Sequence, residues 1–371
     1  MRQTPILFIG DSPDVRSGLA RIGRELAAFT CSLPEFRVGY LGRGGLSTRQ
    51  CPFVQYVFDV RHGFGDEDIM SRVWDDFAGD QEGVIFAIWD ASRLAWLVNW
   101  AQNRPKVKLW IYAPVDAAGP HGRLTAFERS ILQRFSRVLA YGKFGAEVLS
   151  NTLGTSIDWI PHGIQTDVFQ PRDKQAARIA MNYHTGEQVM GCVMTNQIRK
   201  DWSIAAATLA EMPDWKAWWH VDVLERHWSL PNLIDEYGIA DRVKLTFTGN
   251  LSDTEMSYYY SACNVTLLPS SEGYGYPIAE SLACGVPVAH GAYGGGNWAL
   301  PTVRYVNPIA YRTEGVFNCT RPVFAAGDWH LAIAGYQGPS VEECRASVAH
   351  LDWQALWPSL WRKWMLKGVA E

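Results

Sequence analysis

The 371-residue chain contains no apolar run of the length that a membrane-spanning helix needs, which is about 20 residues. It also lacks the excess of basic residues that marks many nucleic-acid-binding proteins, since its formal net charge is −4 and its pI is about 6.2. We therefore expect no membrane span. A nucleic acid remains a candidate partner only through a local basic groove.

Cysteine is too scattered to build a disulfide framework or a zinc site. The seven cysteines are an odd number and include no Cys-x-x-Cys pair. Such cysteines are typical of small buried residues in a reducing compartment. No secretory signal precedes the apolar run Pro5–Gly10, so we expect a cytoplasmic location.

Short apolar segments alternate with helix-length segments along much of the chain. This alternation predicts doubly wound parallel sheets, and the length permits two such domains. Ligands of such sheets bind beyond the carboxyl ends of the strands, so the loops there should carry the function. The predicted strands of the first half include Pro5–Gly10, Phe36–Leu41, Gly83–Trp89 and Val107–Tyr112.

The most informative segment begins at a strand-like run, Asn264–Pro269. Gly273 and Gly275 follow in a loop whose backbone can approach a ligand closely. Pro277 suits the first turn of a helix, which should end near Cys284. A strand, a glycine loop and a helix start in succession predict an anion-binding corner, because free amides and the helix dipole point the same way.

Two carboxylates flank this corner, Glu272 in the loop and Glu280 on the predicted helix. They lie in an E-G-x-G-x-P-x-x-E pattern followed by Gly285-Val286-Pro287-Val288. This pattern resembles the signature of the retaining GT-B glycosyltransferases of glycosyltransferase family 4, also called glycosyl transferases group 1. Segments 10–24 and 161–171 resemble the same family less strongly.

The resemblance implies an α/β GT-B fold, with two Rossmann-like doubly wound parallel-sheet domains facing a cleft. We place an acceptor-side domain at 1–171 and a nucleotide-sugar-binding domain at 172–350. The apolar face of the segment that starts at Trp353 suits a final helix, 351–371, that crosses back to the first domain. Pro358 should bend or divide that helix.

The resemblance also implies a retaining transfer of a sugar from a nucleotide-diphosphate sugar to a hydroxyl. We expect a UDP-sugar as donor substrate and no tightly bound cofactor, although no residue here distinguishes uridine from other nucleosides. Glu280 should hold the ribose hydroxyls and Glu272 the sugar hydroxyls. The full set of predicted donor-binding residues is Gly18, Arg199, Lys200, Asn250, Glu272, Gly273, Tyr274, Gly275, Tyr276 and Glu280.

Arg199 and Lys200 follow the predicted strand Gln188–Met194. Two cations at a strand end can neutralise the charge that develops on a departing diphosphate. The family usually separates its Arg and Lys by several residues, so a surface pair is the alternative. We expect no metal site, because the cations can do this work and no carboxylate or histidine cluster has ligand spacing.

Asp116 follows the strand Val107–Tyr112, near the position where many family members carry an acceptor-side His or His-Asp pair. His121 is displaced from that position. We assign Asp116 as a group that orients or deprotonates the acceptor, with a turn cap as the alternative. The predicted catalytic set is therefore Asp116, Glu272, Lys200 and Arg199.

The acceptor itself stays open: a small metabolite, a glycan or lipid-linked sugar, a protein, or a hydroxylated base in nucleic acid. Two other functions compete with transfer. A GT-B-like epimerase or hydrolase would act on the nucleotide-sugar alone, and a non-catalytic protein would bind it without turnover.

Overall fold

The computed structural model describes residues 3–45, 50–296, 300–315, 318–335 and 338–370. The chain forms two compact units. The first contains the residues up to Gly163 together with those from Gln354 onward, and the second spans Ile164–Trp353.

The first unit is built on a six-stranded parallel sheet with the order β3-β2-β1-β4-β5-β6. Ile6, Leu7, Phe8 and Ile9 of the central strand are fully buried, as expected for a sheet covered on both faces. Its strands are β1 (Thr4–Asp11), β2 (Phe36–Arg43), β3 (Val54–Phe58), β4 (Gly83–Ala87), β5 (Val107–Ala113) and β6 (Arg137–Ala140).

Helices connect these strands and cover the sheet. Ser17 caps the first helix, since its side chain accepts a hydrogen bond from the backbone N–H of Ala20. The helices are α1 (Gly18–Thr30), α2 (Glu67–Phe77), α3 (Ala95–Ala101), α4 (Ala126–Leu132) and α5 (Lys143–Leu153).

The second unit repeats this architecture, with a six-stranded parallel sheet in the order β12-β11-β10-β7-β8-β9. A two-stranded antiparallel hairpin is added after the sheet. The sheet strands are β7 (Gln188–Val193), β8 (Trp215–Val221), β9 (Val243–Phe247), β10 (Val265–Leu268), β11 (Val288–Gly291) and β12 (Val303–Val306), and the hairpin strands are β13 (Ala310–Glu314) and β14 (Cys319–Val323).

The helices of the second unit are α6 (Lys174–Ala180), α7 (Trp202–Ala210), α8 (Leu230–Glu236), α9 (Asp253–Ala262), α10 (Tyr276–Ala283), α11 (Ala326–Ile333) and α12 (Val341–Val348). In both units the strand order, read in chain order, is the 3-2-1-4-5-6 order of doubly wound folds. The prediction of two doubly wound parallel sheets is confirmed.

The chain ends with α13 (Trp353–Leu356), a π-helical turn over Trp357–Trp361, and α14 (Arg362–Ala370). Pro358 lies in the π-helical turn, where the altered hydrogen-bond pattern accommodates its missing N–H. Arg137 stacks on Trp364 and donates a hydrogen bond to its backbone carbonyl at 2.8 Å, which fixes the last helix within the first unit. Within the described ranges, no helix has the length and hydropathy of a membrane span.

The segment between the units packs with the second of them from its first residue. Ile164 and Phe169 are both part of the second unit's core. Backbone hydrogen bonds join Ile164 to Leu351 at 2.9 Å and to Trp353 at 3.2 Å. The chain therefore enters and leaves the second unit at adjacent points.

Candidate functional site

The loop after β10 turns directly into α10. Gly275 precedes the helix with φ 88°, a left-handed conformation that only glycine adopts without steric cost. A Cβ at this position would also lie 2.8 Å from Ile278 Cδ1. The turn therefore places the N-terminal amides of α10 at the carboxyl edge of the sheet, where they can face an anion.

Glu272 lies in this loop and is only 6% exposed. Its Oε1 pairs with Lys200 Nζ and accepts a hydrogen bond from Ser270 Oγ at 2.7 Å. Its Oε2 lies 3.3 Å from Arg199 Nη1. The structure thus brings together three of the four residues predicted to be catalytic.

The charge of Glu272 is set by these partners. Burial alone would raise the pKa of its carboxyl, but the Lys200 ammonium and the Arg199 guanidinium hold that pKa well below its usual range. Glu272 is consequently ionised at neutral pH and can only accept hydrogen bonds.

Arg199 and Lys200 reach the loop because the chain after β7 makes a tight 3-10 turn over Ile198–Lys200. Asp201 follows with φ 31°, and α7 starts at the next residue. Arg199 also donates to the backbone carbonyl of Ser271. Lys200 is 6% exposed, so the surface-pair alternative does not describe it.

Glu280 lies on α10 and is also buried. Its Oε2 accepts a hydrogen bond from Tyr260 Oη of α9 at 2.9 Å. Tyr274 and Tyr276 pack edge to face in front of the helix, with ring centroids 5.5 Å apart. The Glu280 carboxylate is therefore a hydrogen-bond acceptor held in place by Tyr260, which suits a group that binds hydroxyls.

Arg321 is a third cation at this corner, and no sequence pattern indicated it. It comes from β14, is 7% exposed, and pairs with Glu314 of β13 at 2.6 Å. Its Nη1 donates to Ser271 Oγ at 3.2 Å. The hairpin thus brings Arg321 into contact with Ser271, the residue next to Glu272. No motif in β13 or β14 indicates this contact.

His290, at the end of β11, was also missed. Its Nδ1 bonds the carbonyl of Leu268 at 3.0 Å, whereas its buried Nε2 has no hydrogen-bond partner among the described residues. Burial lowers the pKa of His290 to about 4, partly opposed by the nearby Glu272 carboxylate. The imidazole is therefore neutral at pH 7.

The segment after β11 that contains Gly294 and Gly295 fixes the backbone of Glu272. Gly295 donates its N–H to the carbonyl of Glu272 at 2.6 Å, and Gly294 forms an isolated parallel bridge with Glu272. A Cβ on Gly295 would overlap the carbonyl oxygen of Gly273. Gly295 is thus needed for this close backbone contact.

Asn250 lies in the exposed turn after β9, where its backbone N–H bonds the carbonyl of Phe247 at 3.0 Å. Within the described ranges, no hydrogen bond or ion pair joins Asn250 to the Glu272 loop. Asn196, by contrast, is fully buried and holds the loop after β8. Its Nδ2 donates to the carbonyls of Val223, Leu224 and Trp228 at 3.1, 3.1 and 2.8 Å.

In the first unit, Gly18 is the exposed first residue of α1. The cap before it, Ser17, donates to Asp11 Oδ2 at 2.7 Å, and Trp89 Nε1 donates to Asp11 Oδ1 at 3.2 Å. Asp116 is half-buried in the segment after β5. Gly18 and Asp116 both follow strands at the carboxyl edge of the sheet, and their roles remain predictions.

The corner around Glu272 combines buried cations, an ionised carboxylate and helix amides. Such a set can bind an anionic group and orient hydroxyls beside it. No cluster of three or more His, Cys, Asp or Glu residues with the geometry of a metal site occurs in the part of the chain that the structure describes.

Comparisons with known proteins match the same region. Residues 225–297, which include Glu272 and Glu280, match the family model described as glycosyl transferases group 1. The D-inositol 3-phosphate glycosyltransferase of Mycobacterium sp. strain KMS is 28% identical over 323 residues, covering 84% of this chain and 69% of that protein. Its counterpart from Mycobacterium marinum is 29% identical over 337 residues, covering 85% and 67%.

Solved structures share the two-unit fold. Sucrose-phosphate synthase from Thermosynechococcus elongatus superimposes with a TM-score of 0.77 at 18% identity, covering 100% of both chains. Anabaena HepE, solved in complex with UDP-glucose, superimposes with a TM-score of 0.72 at 16% identity, covering 95% of this chain and 96% of that one. The sequence matches agree with the family predicted from the Glu272–Glu280 segment, and the solved structures agree with the predicted fold.

Proposed function

We propose that this chain, which is a GT-B glycosyltransferase, moves a sugar from a nucleotide-diphosphate sugar to a hydroxyl of an acceptor with retention at the anomeric carbon. The observation that carries the donor assignment is the buried contact of Glu272 with Lys200 and Arg199. A UDP-sugar is the proposed donor. The complexes of the fold neighbour HepE with UDP and with UDP-glucose support that choice.

Lys200 and Arg199 bind the diphosphate in this proposal. When the bond between the anomeric carbon and the diphosphate oxygen breaks, negative charge grows on the leaving group. Buried cations that are already in place stabilise that charge without reorganisation. The acceptor oxygen forms the new bond to the same carbon, and its proton is released.

Glu272 and Glu280 act as hydrogen-bond acceptors for hydroxyls. The low pKa of Glu272 supports this role, because a carboxylate that stays ionised is always ready to accept from the donor sugar. Glu280, held by Tyr260 at 2.9 Å, binds the ribose. Tyr274, Tyr276 and the loop amides complete the donor site, and Gly18 and Asn250 remain proposed contacts.

The reaction needs no metal in this proposal, because Lys200, Arg199 and the neighbouring Arg321 supply positive charge at the corner. Removal of divalent cations with EDTA should leave the rate unchanged. Asp116 is retained as the proposed group that orients or deprotonates the acceptor.

A donor and acceptor screen read by mass spectrometry tests the function. UDP-glucose is the first donor, and D-inositol 3-phosphate is the first acceptor because the curated relatives bear its name. A glycosylated product that forms only with both substrates supports transfer. Free sugar or an epimer formed from the donor alone would instead indicate a hydrolase or epimerase, and donor binding without any turnover would indicate a non-catalytic protein.

A further inference from the structure

Two arginines and a phenylalanine form a second charged cluster, in the first unit. The guanidinium carbons of Arg43 and Arg93 lie 4.7 Å and 4.6 Å from the centroid of the Phe64 ring. The two positive charges are thus no more than about 9.3 Å apart, the sum of these distances. That separation is within the Debye length of about 10 Å at 0.1 M salt, so the two charges repel each other.

No carboxylate neutralises this pair within the described residues. Arg43 donates from Nε to the carbonyl of Gly63, and Arg93 makes its contact through the Phe64 ring. Two acids of the segment that carries Phe64 are paired with other residues. Asp59 pairs with Arg61 at 3.0 Å and Asp66 with His62 at 3.3 Å.

The cluster lies where doubly wound sheets bind ligands. Arg43 is the last residue of β2, and Arg93 lies in the turn that follows β4. These two strands flank β1 on either side, so both arginines stand beyond the carboxyl ends of strands next to the point where the strand order reverses.

The Phe64 ring, which both arginines contact, is itself fixed in position by Trp89. Trp89 packs edge to face on Phe64 with centroids 5.4 Å apart, and its Nε1 donates to Asp11 at 3.2 Å. Arg93 is exposed, while Arg43 and Phe64 are half-buried. The guanidinium groups are therefore oriented in advance while their outer N–H donors stay accessible.

We propose that Arg43 and Arg93 bind a phosphate group carried by the acceptor. A guanidinium matches phosphate with two parallel hydrogen bonds, and two of them next to each other gain most from a shared dianion. The statement that the phosphate belongs to an acceptor rests on the proposed function. The statement that the arginines bind phosphate does not.

Binding of inorganic phosphate to the full chain, followed by 31P NMR, tests the site. The variants are Arg43→Gln, Arg93→Gln and their combination, with Arg129→Gln as the matched control because Arg129 is an exposed arginine on α4. Each single change should weaken phosphate binding several-fold and the double change at least about tenfold, since hydrogen bonds to charged groups are the strong ones. Arg129→Gln should bind as the unmodified protein does.

Circular dichroism establishes that each variant is folded. Phosphate binding that is absent from the unmodified protein at millimolar concentration, or unchanged in the double variant, would overturn the site. Displacement of bound phosphate by D-inositol 3-phosphate, but not by inositol, is the expected result for an acceptor phosphate. If the phosphorylated polyol fails to displace it, the cluster holds free phosphate and the acceptor assignment is overturned. None of these results depends on sugar transfer, so failure of the proposed function would be seen separately.

Discussion

Replacing Lys200 with alanine should damage catalysis and stability together, for two different reasons. The Lys200 ammonium is buried against Glu272 Oε1, and Arg199 Nη1 stands 3.3 Å from the other carboxylate oxygen. Without Lys200, one of the two proposed diphosphate cations is lost, and among the described residues the Glu272 carboxylate keeps Arg199 and Ser270 as partners.

The expected effect on rate follows from transition-state charge. Loss of one preorganised group that stabilises a developing anion costs about 3–4 kcal/mol in well-studied enzymes. Arg199 remains and compensates in part, so we expect kcat to fall at least about tenfold, or roughly 1.4 kcal/mol. The assay measures UDP release with saturating donor and acceptor.

The expected effect on stability follows from burial. Breaking a buried ion pair on one side costs about 3–5 kcal/mol when the remaining charge is left alone, and less when a second cation stays. We therefore expect Lys200→Ala to lower the free energy of unfolding by about 2–3 kcal/mol. In the double variant Lys200→Ala/Glu272→Gln, much of this loss should be recovered, with a coupling of about 1–2 kcal/mol.

The pH dependence has a defined sign. The pKa of Glu272 is lower in the folded than in the unfolded state, so its stabilising contribution is present above the unfolded pKa of about 4.3 and is lost as pH falls further. The stability difference between the unmodified protein and Lys200→Ala should therefore shrink below about pH 4 in urea titrations.

Lys216→Ala is the matched control, because Lys216 lies on β8 of the same unit and its ammonium bonds the carbonyl of Asp241 at 3.2 Å in a solvent-exposed contact. It should change neither rate nor stability appreciably. A folded Lys200→Ala protein with kcat within twofold of the unmodified enzyme would refute the assignment of Lys200 as a diphosphate ligand.

Three further changes probe the other groups at the corner. Arg321→Gln should raise KM for the donor several-fold with a smaller change in kcat. Its control is Arg312→Gln, which alters the residue opposite Arg321 on β13 and should leave KM unchanged. Equal effects of the two changes on KM would count against a role of Arg321 at the site. Glu280→Ala should lower donor turnover at least about tenfold, and unchanged kinetics would remove Glu280 from the site. In the unmodified protein, the free energy of unfolding should fall between pH 6.5 and about 4, because His290 binds a proton in the unfolded state but stays neutral in the folded state. In His290→Gln this fall should be smaller. An unchanged slope of the free energy of unfolding against pH, measured by urea titrations, would contradict this.

Much of the local structure of the corner around Glu272 could be predicted from the sequence, because its elements are adjacent in the chain. A strand, two glycines, a proline and a terminal glycine specify one turn, and the helix that forms, Tyr276–Ala283, begins one residue before the predicted Pro277. The contact of Arg199 and Lys200 with Glu272 is not local. It depends on the 3-10 turn and on the left-handed Asp201, which no residue pattern indicated.

The hairpin that supplies Arg321 was not predicted, and the reason lies in its exposure. Ala310, Tyr311, Arg312 and Thr313 of β13 are all exposed, so the strand lacks the apolar alternation that marks a half-buried strand. His290 was missed because its importance arises from burial beside Glu272, and burial of a single polar residue leaves no mark in the sequence. Asp116 and Gly18 lie at the expected sheet edge, and their roles await experiment.

The domain limits also depend partly on local sequence and partly on contacts between residues that are distant in the chain. The Pro- and Gly-containing segment 161–171 was predicted to end the first domain at residue 171, and the two compact units of the structure divide between Gly163 and Ile164. The packing of Ile164 and Phe169 in the second unit's core depends on long-range contacts with the segment near Leu351. Such contacts join the chain from Ile164 onward to the second compact unit, and no local sequence pattern shows them.

Calorimetric titration with UDP and with uridine, on the unmodified protein and on Lys200→Ala, tests the central claim most directly. If Lys200 and Arg199 bind the diphosphate, UDP should bind at least about tenfold more tightly than uridine, and Lys200→Ala should remove most of that difference while uridine binding stays the same. Equal affinities for UDP and uridine, or an undiminished preference for UDP in Lys200→Ala, would contradict the claim.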